Sequence, residues 1–229
     1  MYAARNTIIA LGSITLLAGL AQGDVLYDNF DYSQGDPGYG FFGFGVNSNL
    51  DGVPDFAIGQ TFVVEGGDYY LDSLLAPIFF FGDLSGALNE GLILSLQTNN
   101  DEGLPGTVLE QTIWSDLPGP GDDNGNQSPP VLFEFSGTTL LEEGERYWLT
   151  LTLPDDENTY DFVWFWNTDF DLLAPYAVSE DRGPWQGGVF GDVYLPQAAF
   201  RVEGTLVPTP GVLAGFAVFG LMGTRRRRN

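Results

Sequence analysis

Between residues 24 and 206, apolar and polar positions alternate in short runs, broken by clusters of Gly, Pro, Asp and Asn. In Tyr147-Trp148-Leu149-Thr150-Leu151-Thr152-Leu153 the odd positions are apolar, and Thr150 and Thr152 face away from them. Leu94-Ser95-Leu96 and Phe133-Glu134-Phe135 repeat this period of two. Successive strand side chains point to opposite faces, so the period predicts half-buried strands. The runs place strands over 24–30, 56–65, 69–81, 92–98, 108–115, 131–136, 146–153, 162–167, 176–179 and 199–206. The separators, such as Gly66-Gly67-Asp68 and Asp101-Glu102-Gly103-Leu104-Pro105-Gly106, carry turn chemistry: Gly supplies positive φ, Pro fixes φ, and Asp or Asn bonds its own backbone. No stretch of this region sustains a 3.6-residue apolar period over three turns. The expected fold class is all-β, an antiparallel β-sandwich, jelly-roll-like in size.

The two ends follow a different pattern. Arg5 precedes an apolar run, residues 8–20, and Ala21-Gln22-Gly23 puts small residues at the −3 and −1 positions of a cleavage site before Asp24. That order of parts predicts an N-terminal signal peptide helix, the alternative being a buried helix of the fold. At the other end, Val207-Pro208-Thr209-Pro210-Gly211 opens a segment that stays apolar to Thr224 and finishes in Arg225, Arg226, Arg227 and Arg228. The prolines mark a linker, and the arginines hold that end on the cytoplasmic side. A C-terminal hydrophobic helix is expected here, shorter than the roughly 20 residues of a full span. The domain organisation is therefore 1–23 signal peptide, 24–206 β-sandwich domain and 207–229 tail of Pro motif, apolar helix and Arg cluster.

Charge narrows the function. All 31 acidic residues lie between the two end segments, opposed there by Arg146, Arg182 and Arg201, and the chain has no lysine. The formal net charge of the whole chain is −23. Nucleic acid and anionic lipid are repelled by such a surface, so no nucleic-acid partner is expected, and membrane contact is expected only through the tail. With so few cations, Arg146 and Arg201 are each expected to pair with a carboxylate. With 44% hydrophobic and 14% aromatic residues, the chain is not of the disordered class. The absence of cysteine removes disulfides, thiol nucleophiles and thiolate zinc sites. The absence of histidine removes the Ser-His-Asp triad and the usual zinc and copper sites.

The tail resembles the PEP-CTERM sorting signal: a Pro-containing motif, an apolar helix and an arginine cluster. Pro208-Thr209-Pro210 stands where that family usually has Pro-Glu-Pro. The resemblance implies processing by an exosortase-type membrane protease and delivery to the cell surface or exterior after transient membrane anchoring. Three segments of the domain are similar to the choice-of-anchor exported β-domains: Phe56-Ala57-Ile58-Gly59-Gln60-Thr61-Phe62, the turn from Asn99 to Thr107, and Gly144-Glu145-Arg146-Tyr147-Trp148-Leu149. That likeness implies a surface domain without established catalytic activity.

Three constellations are candidates for chemistry. Asn47, Asn49, Asp51, Gly52 and Asp55 offer oxygen ligands and a sharp turn, as calcium requires, but Ile58 stands where an EF-hand needs its bidentate acid. A looser structural calcium site and a solvated Asx turn both remain open, and no other cofactor is required. Trp164, Trp166, Tyr176 and Trp185 could form a stacking platform for the sugars of an extracellular polysaccharide, or could simply fill the core. Glycoside hydrolysis needs two close carboxylates, and no pair among the 31 acids stands out. The sequence thus predicts an exported, non-enzymatic surface protein with a structural or adhesive role, with carbohydrate binding as the alternative and a glycan-active enzyme third.

Overall fold

The computed structural model describes residues 23–30, 43–48, 56–81, 92–114, 130–153, 160–165, 167, 175–180, 183–187 and 197–208. Every element among them is a strand: β1 (Asp24–Asp28), β2 (Gly43–Ser48), β3 (Phe56–Val63), β4 (Tyr69–Ala76), β5 (Ile78–Phe81), β6 (Leu92–Asn99), β7 (Pro105–Trp114), β8 (Val131–Glu134), β9 (Leu140–Leu141), β10 (Arg146–Thr152), β11 (Tyr160–Phe165), β12 (Tyr176–Glu180), β13 (Gln186–Gly187) and β14 (Arg201–Leu206). The expected signal-peptide and tail helices lie outside the described residues.

The strands form two antiparallel sheets. One has five strands in the order β1-β14-β4-β8, with β9 also on β4; the other has nine, in the order β5-β11-β2-β3-β10-β6-β7, with β12 on β3 and β13 on β12. The inward residues follow the period of two, except on β4, where the register shift at Asp72 puts Leu71 and Leu74 on the same side. Ile58, Phe62, Leu92, Leu94, Leu96, Tyr147, Leu149 and Leu151 from the larger sheet join Leu71, Leu74, Val131, Phe133 and Val202 from the smaller one in a single hydrophobic cluster. Fully burying a Leu or Phe side chain contributes about 1.5–3 kcal/mol, and with no disulfide in the chain this shared core is the main source of stability.

The strand expected over 69–81 is in fact two. Pro77 separates β4, in the smaller sheet, from β5, in the larger one. Proline cannot donate a ladder bond, so the chain leaves one sheet here and enters the other, with the Pro77 carbonyl accepting from Phe165 N at 3.0 Å. The face expected to look outward on β10 is also buried: Trp148 and Thr150 are fully covered, and Thr150 Oγ1 accepts from Gln97 Nε2 at 2.8 Å. Strands β3 and β10 are therefore enclosed on both faces.

The first strand pairs with the last. Asp24 lies opposite Gly204 and Asp28 opposite Arg201. At a register shift in β14, Gly204 approaches β4 so closely that a Cβ would stand 2.6 Å from the Tyr70 carbonyl oxygen. The Val207 amide then donates to the Asp68 carbonyl at 2.8 Å, fixing the point where the chain leaves the sheet.

Candidate functional site

The three segments that resemble surface β-domains are brought side by side. β3 pairs with β10, β10 pairs with β6, and the turn after β6 folds back over both. In that turn Asn100 Oδ1 accepts from the amides of Glu102 and Leu104, each at 2.9 Å, and Thr98 Oγ1 accepts from Thr107 N at 3.0 Å. The turn delivers Pro105 to the face of Gly59, where a Cβ would meet Trp148 at 3.1 Å and Pro105 at 3.4 Å. A side chain there would press on the indole, which glycine avoids. Trp148 Nε1 donates to Asn99 Oδ1 at 3.0 Å, which ties the strand to the turn. Tyr147 Oη accepts from Glu142 N at 2.9 Å and closes the turn between β9 and β10. Burial and the nearby carboxylates of Glu142, Glu145 and Asp68 push the Tyr147 phenol up, so it stays neutral. These motif residues build framework.

On the opposite face of β3 the same segment meets a network of buried amides. Gln197 Nε2 donates to the Thr61 carbonyl at 2.8 Å, and Tyr27 Oη donates to Gln197 Oε1 in a short bond. Asn29 Nδ2 donates to the Ala198 carbonyl at 2.8 Å, and Asn29 Oδ1 accepts from Phe200 N at 2.7 Å. Gln60 Oε1 accepts from Ala198 N at 3.3 Å. The Gln-Thr of the motif thus draws the segment before β14 against β3, and Asn29 draws in the end of β1. Below the network Tyr27 stacks on Phe200, ring centroids 4.7 Å apart.

An open cleft of about 360 Å³ lies over this network, lined by Tyr27, Thr61, Phe62, Glu65, Arg146 and Gln197, among others. Burial is the main cause that pushes the Tyr27 phenol up to about 12, partly offset by its bonds to Gln197 and Asn29. At neutral pH it is therefore a hydrogen-bond donor and not a base. Arg146 is exposed at the rim, and among the described residues no carboxylate stands within ion-pair distance of it. Arg201 does pair as expected, with Asp28 at 2.9 Å and Glu203 at 3.5 Å. The cleft offers a guanidinium, a carboxylate and neutral polar groups, a set suited to recognising hydroxyl and carboxylate groups.

Of the four aromatics expected as a sugar platform, two are taken into the core. Trp164 is fully buried, its Nε1 donating to the Ala199 carbonyl at 2.9 Å, and Tyr176 is buried on β12 opposite Gln60. Neither ring presents a face to solvent. Trp185 is half-buried, and Trp166 lies outside the described residues. Of the calcium candidates, Asn47 belongs to β2, opposite Asp161 and Phe56, whereas Asn49, Asp51 and Asp55 lie outside the described residues. Among the described residues no group of three or more acidic side chains is arranged to hold a metal ion. Of the sorting motif, Val207 and Pro208 are described, directly after β14; Thr209, Pro210, Gly211, Arg225, Arg226, Arg227 and Arg228 are not. The cleft itself was not legible beforehand, because Tyr27, Arg146 and Gln197 come from three distant segments and form no motif.

No protein-family model matches the chain, and no curated protein is significantly similar to it.

Proposed function

We propose that this protein is exported, carries a jelly-roll-like β-sandwich as its mature domain, and serves a structural or adhesive role at the cell surface or in an extracellular matrix. The observation that carries this reading is the pairing of β1 with β14. The first residue after the expected cleavage point, Asp24, already belongs to a strand, and the last described strand ends at Leu206, immediately before the expected tail. The sheet thus uses the chain from one expected processing point to the other. The Pro-apolar-Arg order of the tail supports sorting by an exosortase-type protease. No reaction is assigned to the domain.

Intact-mass measurement of the protein from the native cell fraction and medium tests this. The expected species begins near Asp24 and ends between Pro208 and Gly211. A membrane-bound species that keeps Arg225–Arg228 would overturn the sorting reading.

A second reading, recognition of an extracellular polysaccharide, rests on the cleft above Gln197 and not on the aromatic platform. Its test is retention on the native polysaccharide. Arg146→Ala should lose retention while keeping its thermal midpoint, since Arg146 is exposed; unchanged retention excludes the cleft.

A further inference from the structure

We propose that β7 is a self-association edge, on which a second copy of this chain adds an antiparallel strand. β7 stands last in the order of the nine-stranded sheet, and among the described residues β6 is its only strand partner. It is also the longest described strand, with ten residues. A strand in this position presents a row of unpaired N–H and C=O groups, which proteins protect with lysines, inward-pointing charges, interior prolines or short length. β7 has little of this protection. Its one proline is its first residue, and it carries no cation. Its one carboxylate, Glu110, is turned back to accept from Ser136 N at 2.5 Å and Thr139 Oγ1 at 2.5 Å. The register irregularities against β6 fall at the Pro105 end, and from Glu110 to Trp114 the ladder is regular. Ile113, in that regular half, is 61% exposed, the most exposed of the large apolar side chains described.

Charge selects the occupant. In a chain of net charge −23 without a lysine, most surfaces of two copies repel each other. Along β7 Glu110 is the one charged side chain, and it is already bonded within its own chain, so two copies can meet at this edge with less repulsion than elsewhere. A two-fold antiparallel pairing there closes both edges at once and needs no complementary charge. Such pairing depends neither on export nor on tail processing.

Sedimentation velocity of the full chain in nonionic detergent tests it. The expected result is a monomer–dimer equilibrium that tightens as salt screens the carboxylates. Ile113→Asp should weaken the dimer by roughly tenfold or more, because it adds a negative charge on both copies at the pairing edge. Leu132→Asp, at an exposed position on the smaller sheet, should leave it unchanged. Hydrogen exchange supplies a readout that needs no variant: the amides of 110–114 should be better protected in concentrated than in dilute wild-type samples. A wild-type chain that stays monomeric at all concentrations and salts overturns the proposal. So does a dimer that persists in Ile113→Asp, which another surface must hold, or protection that does not change with concentration.

Discussion

Gly204 shows how much a single missing side chain carries. It sits where β14 shifts register, against the Tyr70 carbonyl oxygen and Leu26 Cδ1, where a Cβ would stand at 2.6 and 2.9 Å. A backbone carbonyl in a ladder cannot step aside as a flexible side chain can. Gly204→Ala should therefore cost about 1–3 kcal/mol, as overpacking does, and lower the thermal midpoint by about 2–4 °C per kcal/mol; a midpoint equal to wild type would mean that β14 relaxes freely. At this scale the sequence was legible only in part. The period of two assigned Leu149 and Leu151 to the core, and they are there. It could not foresee that Thr150 on the reverse face is also covered, because Ala177 and Pro105, which come up against neighbouring Gly59, belong to other segments. Trp164 and Tyr176 were ambiguous for a related reason. An aromatic residue on a strand suits a core and a binding platform equally, and only its packing partners decide.

Among the elements, β7 and the turn between β8 and β9 are joined through one side chain. Glu110 reaches from the larger sheet to Ser136 and Thr139 beside the smaller one. Burial pushes its carboxyl up, but the bonds from Thr139 and Ser136 outweigh this and leave it below the ordinary 4.5. These bonds favour the charged form. Their stabilisation is complete above the unfolded-state value and is lost as pH falls below about 4.5 through the folded-state value. Glu110→Gln should therefore cost about 1 kcal/mol near neutrality, a figure kept low because the group is largely solvated. The two proteins should converge in urea midpoint at acid pH. A constant gap from pH 7 down to pH 3 would assign the loss to packing. Most long strands were readable from alternation. β2 was not, because Gly43 and Gly45 dilute its apolar signal, and β9 and β13 are too short to show a period. The break at Pro77 was visible as a proline, but not as a change of sheet, since both halves are equally apolar.

For the molecule as a whole, self-repulsion is the strongest influence outside the core. Thirty-one carboxylates face eight arginines, and five of those arginines lie in the end segments. Screening should therefore stabilise the fold. Raising sodium chloride from about 0.05 to 0.5 M, where the Debye length falls below 5 Å or so, should raise the thermal midpoint by a few degrees, with potassium chloride equivalent at equal strength. Calcium at a concentration too low to alter ionic strength should add nothing beyond this; a distinct calcium shift would instead support a calcium site over residues 47–55. The all-β class was legible because alternation and turn chemistry repeat along the described strands. The partition into two sheets was not, since pairing joins residues far apart in the chain and local pattern carries no record of it.

The pairing of β1 with β14 also governs when such a chain can finish folding. Arg201 and its partner Asp28 are 173 positions apart, and β14 lies between β1 and β4 in the smaller sheet. On the exported reading the chain crosses the membrane from its N-terminus, so β1 emerges first and waits with an open edge until nearly all the rest has followed. Contacts this distant in sequence form slowly. If the proposed export holds, sheet closure would be coupled to the end of translocation, with β14 inserting last between β1 and β4.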